Sequence, residues 1–194
     1  MKAFLSVSAL ATMFFSSSAL AHQCGSNYWP GTLPEHEPNS VAVSDLDVFL
    51  ATFPAAEGIK FKVEAKPGEL WIDVLEYPSG VTVAAASRML FIIGRIADGE
   101  FGSLVLADTN EGMFQISENE IRAIGCQFVW GVEGRGENPI ALIRQFADGL
   151  TYYDSGRRVA APFNGSLLGD TSKAMAVLNE AVNPQWVLRT VEIK

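Results

Sequence analysis

Histidine is scarce in this 194-residue sequence, which contains only His22 and His36. A serine or cysteine nucleophile usually needs a nearby base, and that base is most often histidine. Both histidines lie in a proline-rich stretch near the N-terminus, and the sequence contains no Gly-x-Ser-x-Gly elbow. The shortage of histidine therefore argues against a nucleophilic triad, and we expect a protein that is not an enzyme.

One metal chemistry stays open for these two histidines. If the chain is cleaved after Ala21, His22 supplies an α-amine and an imidazole, and these two nitrogens can chelate copper. In this one residue the chain resembles the histidine-brace copper proteins, which also use a mature N-terminal histidine. The second histidine of such a site would be His36. A structural zinc site lacks its four ligands, so we predict no cofactor and keep copper binding as an alternative.

Cysteine is equally scarce, since the chain contains only Cys24 and Cys126. In an oxidising compartment, two cysteines most simply form a disulfide. Such a bond would tether the N-terminal segment to the middle of the fold, and it would stabilise the fold by up to ~4.7 kcal/mol in the chain-entropy model. The rival interpretation is one buried free thiol and one mobile thiol.

Basic residues are outnumbered, with 14 Lys and Arg against 22 Asp and Glu, so the net charge is -8. This balance argues against a nucleic-acid partner, which favours a basic face, and against binding to an anionic membrane surface. It permits a basic protein partner, although acidity is also a common means of staying soluble.

The first 21 residues have the pattern of a signal peptide. Lys2 provides a positive start, residues 3–15 are mainly apolar, and Ala19-Leu20-Ala21 fits the small-x-small cleavage rule. We therefore expect an exported protein, periplasmic or extracellular, that does not insert into a membrane once the signal is removed. Residues 22–194 are enough for one domain, and we expect an irregular arm over 22–40.

The most strongly patterned stretch covers residues 81–97. Apolar residues recur there at helical spacing, at positions 86, 89, 90, 93, 96 and 97. Arg88 and Arg95 exclude an ordinary membrane span, because each charge at mid-bilayer costs about 3 kcal/mol. The pattern predicts an α+β fold in which a mixed or antiparallel sheet packs around this central buried helix.

Periodicity and turn residues predict the other elements. Helices are expected over 44–53, from 117, over 138–150 and over 170–182, the last opened by Asp170 and ended by Asn183-Pro184. Strands are expected over 59–64, 69–76, 101–107, 113–116, 126–132 and 185–193, although residues 121–132 also fit a helix. The turn Lys66-Pro67-Gly68 predicts a hairpin of the first two strands, and 113–116 is expected to pair with 101–107. Hairpins mixed with helices favour α+β over a regular parallel series.

Two segments are candidate contact surfaces. Residues 131–137 are glycine-rich and predict a mobile loop, and residues 152–158 combine tyrosine with arginine, which is typical of interfaces. The candidate binding residues are Glu133, Arg135, Tyr152, Tyr153, Arg157 and Arg158.

The function predicted from these observations is an exported small binding protein. The best match is an inhibitor or immunity-type protein that blocks a toxin or an enzyme by protein contact. A secreted carboxylate-dependent hydrolase is the first alternative, since acids are plentiful, but such an enzyme needs two carboxyls about 5–9.5 Å apart across a cleft. Most of the acids lie at turns and helix starts, where they stabilise exposed amides.

Overall fold

The computed structural model describes Cys24 and residues 40–189. The predicted signal peptide, His22, His36 and most of the predicted arm lie outside these residues. The strands are β1 Val41–Ala42, β2 Lys60–Lys66, β3 Glu69–Glu76, β4 Ala97–Asp98, β5 Ser103–Asp108, β6 Glu111–Ser117 and β7 Thr151–Tyr152. The α-helices are α1 Leu46–Thr52, α2 Val83–Ile96, α3 Glu118–Gln127, α4 Ile140–Gly149 and α5 Leu167–Ala176.

A mixed five-stranded sheet, in the order β2-β3-β5-β6-β7, forms one layer of the fold. Strands β2 and β3 are the predicted hairpin, and β5 and β6 are the second predicted antiparallel pair. Strands β3 and β5 run parallel, which requires a crossover connection between them. Helix α2 provides this connection, and β1 pairs with β4 in a small parallel sheet beside it.

Helix α2 lies at the centre of the molecule, as its pattern predicts. Ala86, Met89 and Leu90 have no exposed surface, and the same holds for Ile92, Ile93 and Ile96. Alternate residues of the sheet, such as Leu70, Ile72 and Leu104, belong to the same apolar cluster. The predicted α+β architecture is therefore confirmed, with the helix beginning at Val83.

Helices α2 and α3 approach each other through glycine. A Cβ atom on Gly125 would collide with the carbonyl oxygen of Phe91, and one on Gly94 would lie 2.6 Å from Cγ1 of Ile121. Arg122 of α3 also links this helix to the chain just after α2, because it donates hydrogen bonds to the carbonyl oxygens of Ala97 at 3.0 Å and Gly99 at 2.8 Å. The backbones of α2 and α3 are therefore so close that neither Gly94 nor Gly125 has room for a side chain.

Two predicted strands are wrong. Residues 126–132 are helical, because α3 runs on into a wider π-helical segment, Phe128–Glu133. The predicted strand over 185–193 is helical in its described part, since Val177–Val187 continues α5 and contains Pro184. A hydrogen bond from the Leu188 amide to the Asn183 carbonyl spans five residues, and this wider turn accommodates a residue that lacks an N–H.

Burial explains why these segments are helices although they contain many β-forming residues. Trp186 is 1% exposed and donates a hydrogen bond from Nε1 to the carbonyl oxygen of Ile72 at 3.1 Å. Phe128 and Val129 are buried in the same core. Tertiary packing of this kind overrides strand propensity, which largely reflects side-chain packing.

Helix α5 begins earlier than predicted. The side chain of Ser166 accepts a hydrogen bond from the Gly169 amide at 3.2 Å, so Ser166 is the N-cap in place of Asp170. Asp170 is fully buried and accepts hydrogen bonds from the amides of Asn164 at 3.1 Å and Gly165 at 2.8 Å. The acid therefore shapes the loop before the helix.

Cys24 and Cys126 form a disulfide, with their Cα atoms 5.5 Å apart. The predicted bond is therefore confirmed, and the rival interpretation of two free thiols is wrong. Cys126 is 1% exposed and lies in α3, so the bond ties the N-terminal segment to a buried helix. Within residues 40–189, no helix is long and apolar enough to cross a membrane.

Candidate functional site

A groove of about 490 Å³ opens beside α2, between the π-helical extension of α3, the start of α4 and the end of α5. This volume falls within the range of about 300–1,000 Å³ that is usual for ligand pockets. The groove is lined by Glu57, Thr82, Ala84, Ala85, Ser87, Arg88, Phe91, Phe128, Val132, Pro139, Ile143, Met175, Leu178 and Asn179.

The walls of the groove are mainly apolar and are held by aromatic packing. The ring of Phe91 meets Phe128 edge-on, with centroids 5.7 Å apart, and it meets Phe146 in the same manner at 5.4 Å. Phe91 and Phe128 are 2% and 6% exposed. The floor is therefore fixed by the core and suits an apolar occupant.

Arg88 is the cation that lines the groove, and it is paired with Glu133. Its Nε donates to Oε1 of Glu133 at 3.0 Å, and its Nη2 donates to the same oxygen. The guanidinium also lies 5.9 Å from the ring centroid of Phe128. Because both bonds end on Oε1, the second carboxylate oxygen of Glu133 accepts no hydrogen bond from the described residues.

Among the described residues, four further polar side chains line the groove: Ser87, Glu57, Thr82 and Asn179. Ser87 is 4% exposed, and its hydroxyl makes no hydrogen bond to any residue that the structure describes. Glu57 is exposed and has a φ of 52°, in the left-handed region that non-glycine residues rarely adopt. In addition to the Arg88–Glu133 pair, the described lining of the groove thus presents two hydroxyl groups, one amide and one exposed acid.

Apolar side chains continue the groove onto the surface. Met175 lines it and is 41% exposed, and Leu168 lies two helical turns earlier on α5 and is 83% exposed. Ile140, 38% exposed, lies one turn before Ile143 of the groove wall. Spacings of three, four and seven residues place side chains on one helix face, so these residues extend the apolar surface. We call Leu168, Met175 and Ile140 the apolar strip.

Two of the six predicted binding residues, Glu133 and Arg135, follow Val132 of the groove wall in the chain. Glu133 pairs with Arg88, and Arg135 forms an ion pair with Glu137 at 2.6 Å. The predicted mobile loop that would carry them is wrong, because the chain is helical through residue 135, and Gly131 is buried. A Cβ atom on Gly131 would lie 2.5 Å from Oε2 of Glu137, so glycine permits this packing.

The other four predicted residues lie at β7 and the turn that follows it. Tyr152 and Tyr153 are neighbours in the chain and point to opposite sides: Tyr152 packs on Phe114 at 5.6 Å, whereas Tyr153 packs edge-on against Trp71 at 5.4 Å. The hydroxyl of Tyr153 donates to Glu69 at 3.2 Å. Burial, with the nearby charge of Glu69, raises the pKa of Tyr153. Both tyrosines therefore have structural contacts.

The two arginines of this turn differ in their partners. Arg158 forms an ion pair with Asp148 at 2.8 Å, whereas the exposed side chain of Arg157 makes no hydrogen bond or ion pair within residues 40–189. No hydrogen bond or ion pair among the described residues joins this turn to Glu133 or Arg135. The structure therefore divides the six predicted residues between two places.

Tyr152 also lines a second, smaller cavity of about 340 Å³, together with Lys173, Glu180 and Gln185. The ammonium group of Lys173 is already engaged there, since it donates to the carbonyl oxygen of Pro162 at 2.6 Å. It also lies 3.6 Å from Asp170. The lysine of this cavity is therefore already committed to groups of the protein itself.

Sequence analysis misses most of the groove residues. They come from α2, the extension of α3, α4 and α5, so no local motif unites them. The one available signal is the polar pair Ser87 and Arg88 near the middle of a mainly apolar helix. A charged residue inside such a pattern indicates a place where the helix face meets solvent or a ligand.

Two buried carboxylates, Asp73 and Asp170, have shifted pKa values. Burial raises the pKa of Asp73, a residue that lines neither cavity, and Asp108 raises it further. Burial alone would raise the pKa of Asp170, but the amides of Asn164 and Gly165, together with Lys173, lower it below the ordinary value.

Among the residues that the structure describes, the lining of the groove contains no cluster of reactive groups. Within the described residues, no group of three or more His, Cys, Asp and Glu side chains could hold a metal ion. The proposed copper ligands His22 and His36 lie outside those residues. No protein-family model, no curated protein and no solved structure matches this chain.

Proposed function

We propose that this protein is an exported binding protein that acts by contact with another protein, as an inhibitor or immunity-type protein does. The groove with its apolar strip is the proposed contact surface. The observation that carries this proposal is a mainly apolar groove with exposed apolar side chains on the helices α4 and α5 that form its walls. Exposed apolar surface rimmed by polar residues marks interaction sites.

The composition of the groove supports binding over catalysis. Arg88, the one cation in its described lining, is already committed to Glu133, and no second carboxyl with a raised pKa accompanies Asp73 among the described residues. Arginine, aromatic and methionine side chains are enriched where proteins meet. Arg88, Phe91, Phe128 and Met175 give the groove this composition.

Export rests on two observations of different strength. The Cys24–Cys126 disulfide fits an oxidising compartment. The N-terminal pattern of Lys2, an apolar run and Ala19-Leu20-Ala21 is that of a signal peptide. Mass spectrometry of the protein purified from its native cells tests this part, because a mature N-terminus at His22 is expected.

A comparison of captured proteins tests the contact surface. The mature protein, immobilised, is exposed to extracellular and envelope extracts in three forms: wild type, Met175→Glu and Val48→Glu. Met175 lines the groove, whereas Val48 is an apolar residue of α1 that is 73% exposed and lies outside it. Both substitutions add the same charge at an exposed apolar position.

We expect at least one protein to bind the wild type and Val48→Glu and to be lost with Met175→Glu. When that protein is purified, it must also bind wild type and Val48→Glu more tightly than Met175→Glu. Identical captures by all three forms would contradict the proposal.

The turn after β7 is tested separately. Arg157→Ala removes an exposed side chain that has no partner within residues 40–189, so folding stability should stay within about 0.5 kcal/mol of wild type. A weaker complex with this variant would add the turn to the contact surface. Tyr153→Ala is a poorer probe, since it also removes contacts with Trp71 and Glu69.

A further inference from the structure

The apolar groove and its strip have dimensions and charges that specify their occupant further. We infer that the groove binds an amphipathic α-helix of a partner protein, a helix with an apolar face and basic residues along its flank. This inference rests on the proposed function, because it names the chemistry of the partner at the same surface.

The length of the apolar surface favours a macromolecular segment over a small molecule. Leu168 and Met175 are seven residues apart on α5, which corresponds to about 10 Å along the helix, and Leu178 lies a further turn on, in the groove. A small ligand in the groove would leave Leu168 in water. A helix of three or four turns would cover the strip and the groove together.

The walls of the groove are themselves helical, and this favours a helical occupant. On one side, Ala84, Arg88 and Phe91 of α2 follow one another at spacings of four and three residues. On the other side, Met175 and Leu178 are three residues apart. Rows of side chains at these spacings form the ridges between which another helix packs. An amphipathic helix lying in such a groove is a recurring mode of recognition.

Charge favours a basic flank on that helix. The lining of the groove contains the exposed acid Glu57, and the charge of Arg88 is balanced by Glu133. The second oxygen of Glu133 accepts no hydrogen bond from the described residues, so it can accept one from a partner lysine or arginine. The net charge of the chain, -8, attracts a cationic segment over longer range.

Two peptides of opposite charge test the inference. Each is about 18 residues long, so that it can form a helix, with leucine along one face; the flanks carry lysine in one peptide and glutamate in the other. Both carry a fluorophore, and binding is measured by fluorescence anisotropy at about 0.15 M salt, where distant charges are screened. The protein forms are wild type, Met175→Glu, Leu168→Glu and Val48→Glu.

The variants separate the groove from simple electrostatic attraction, because each makes the protein more acidic by the same amount. We expect the leucine–lysine peptide to bind wild type and Val48→Glu equally, and Met175→Glu about tenfold more weakly, because a carboxylate would be buried against leucine. Leu168→Glu should also bind more weakly. The leucine–glutamate peptide should bind wild type at least about tenfold more weakly than its basic counterpart.

Several results would overturn the inference. Equal or tighter binding of the basic peptide by Met175→Glu would show general charge attraction. Equal binding of both peptides would refute the basic flank, and loss with Met175→Glu but not with Leu168→Glu would indicate a ligand confined to the groove.

Two other occupants have their own signatures. Concentration-dependent dimerisation that Met175→Glu abolishes would assign the surface to a second copy of this chain. Peptide binding seen only after deletion of residues 25–39 would assign it to the chain's own N-terminal segment. Failure of the peptide assay alongside a groove-dependent captured protein would refute the helix and leave the proposed function standing.

Discussion

The contact between α2 and α3 can be tested at one atom, by adding a methyl group with Gly125→Ala. The new Cβ would collide with the carbonyl oxygen of Phe91, and it would lie 2.9 Å from the amide nitrogen of Arg95 and 3.0 Å from its Cβ. Carbon–oxygen contacts are normally about 3.3–3.6 Å. The two helices would therefore have to separate by roughly 1 Å.

The expected loss in the free energy of unfolding follows from two opposing effects. Inserting a methyl group into a well-packed core costs about 1–3 kcal/mol, and the upper end applies here because the obstructing atoms belong to the backbone. Replacing a helical glycine by alanine returns about 1 kcal/mol. The net loss should be about 2 kcal/mol, which lowers the melting temperature by roughly 4–8 °C for a domain of this size.

The measurement is urea unfolding followed by tryptophan fluorescence and circular dichroism, with the disulfide intact. Gly149→Ala is the matched control, because this helical glycine faces only side-chain ends, with Cδ1 of Ile116 3.2 Å from the added Cβ. It should stay within about 1 kcal/mol of wild type. A Gly125→Ala protein as stable as wild type would refute the backbone contact between the helices.

Three further predictions concern buried groups. Arg122→Met should cost about 3–5 kcal/mol in urea unfolding, because it removes the ion pair with Glu118 at 2.7 Å and the bonds to the carbonyls of Ala97 and Gly99; a loss below 1 kcal/mol would contradict this role. The pKa of Asp73 is raised by burial and by Asp108 and is partly lowered by the Thr109 amide and Lys62, so its folded form holds a proton more tightly than its unfolded form. The stabilisation that Asp73 gains from this proton is then complete below pH 3.8 and is lost as the pH rises through the raised pKa, and Asp73→Asn lacks this pH dependence. The unfolding free energies of wild type and Asp73→Asn should therefore diverge between pH 3.8 and neutral pH. Parallel curves would contradict the raised pKa. Replacing both Cys24 and Cys126 by alanine should cost up to about 4.7 kcal/mol for a loop of about 100 residues, whereas an unchanged urea midpoint without reductant would show that the bond adds nothing.

The central helix could be predicted from the sequence because local signals agree there. Apolar residues keep helical spacing from Ala86 to Ile96, and Arg95 near the end suits the negative end of the helix dipole. The hairpin of β2 and β3 was equally accessible, since Lys66-Pro67-Gly68 separates two alternating runs. Where spacing, caps and turns point the same way, local sequence is sufficient.

The segments after α3 and α5 could not be predicted in that way, because the deciding contacts are distant in sequence. Trp186 lies in a helical segment, and its side chain is held by a hydrogen bond to Ile72, which is 114 residues away in the sequence. The apparent stop at Asn183-Pro184 fails since a π-helical turn accepts proline without losing its packing. Strand propensity and a helix-breaking dipeptide were both real signals, and tertiary burial outweighed them.

The candidate site shows the same limit in a form that bears on function. Glu133 could be named from sequence, but its partner Arg88 lies 45 residues earlier, on the helix that the pattern marks as core. The pairing gives both residues a place at the groove. Helix α2 is largely buried, but it carries the half-exposed guanidinium of Arg88 where the α3 extension, α4 and α5 do not cover the helix. Because Arg88 is paired with Glu133, its charge is already balanced and does not require an anionic ligand. This is why the groove is better explained by an apolar, basic-flanked helix than by an acidic ligand drawn to Arg88.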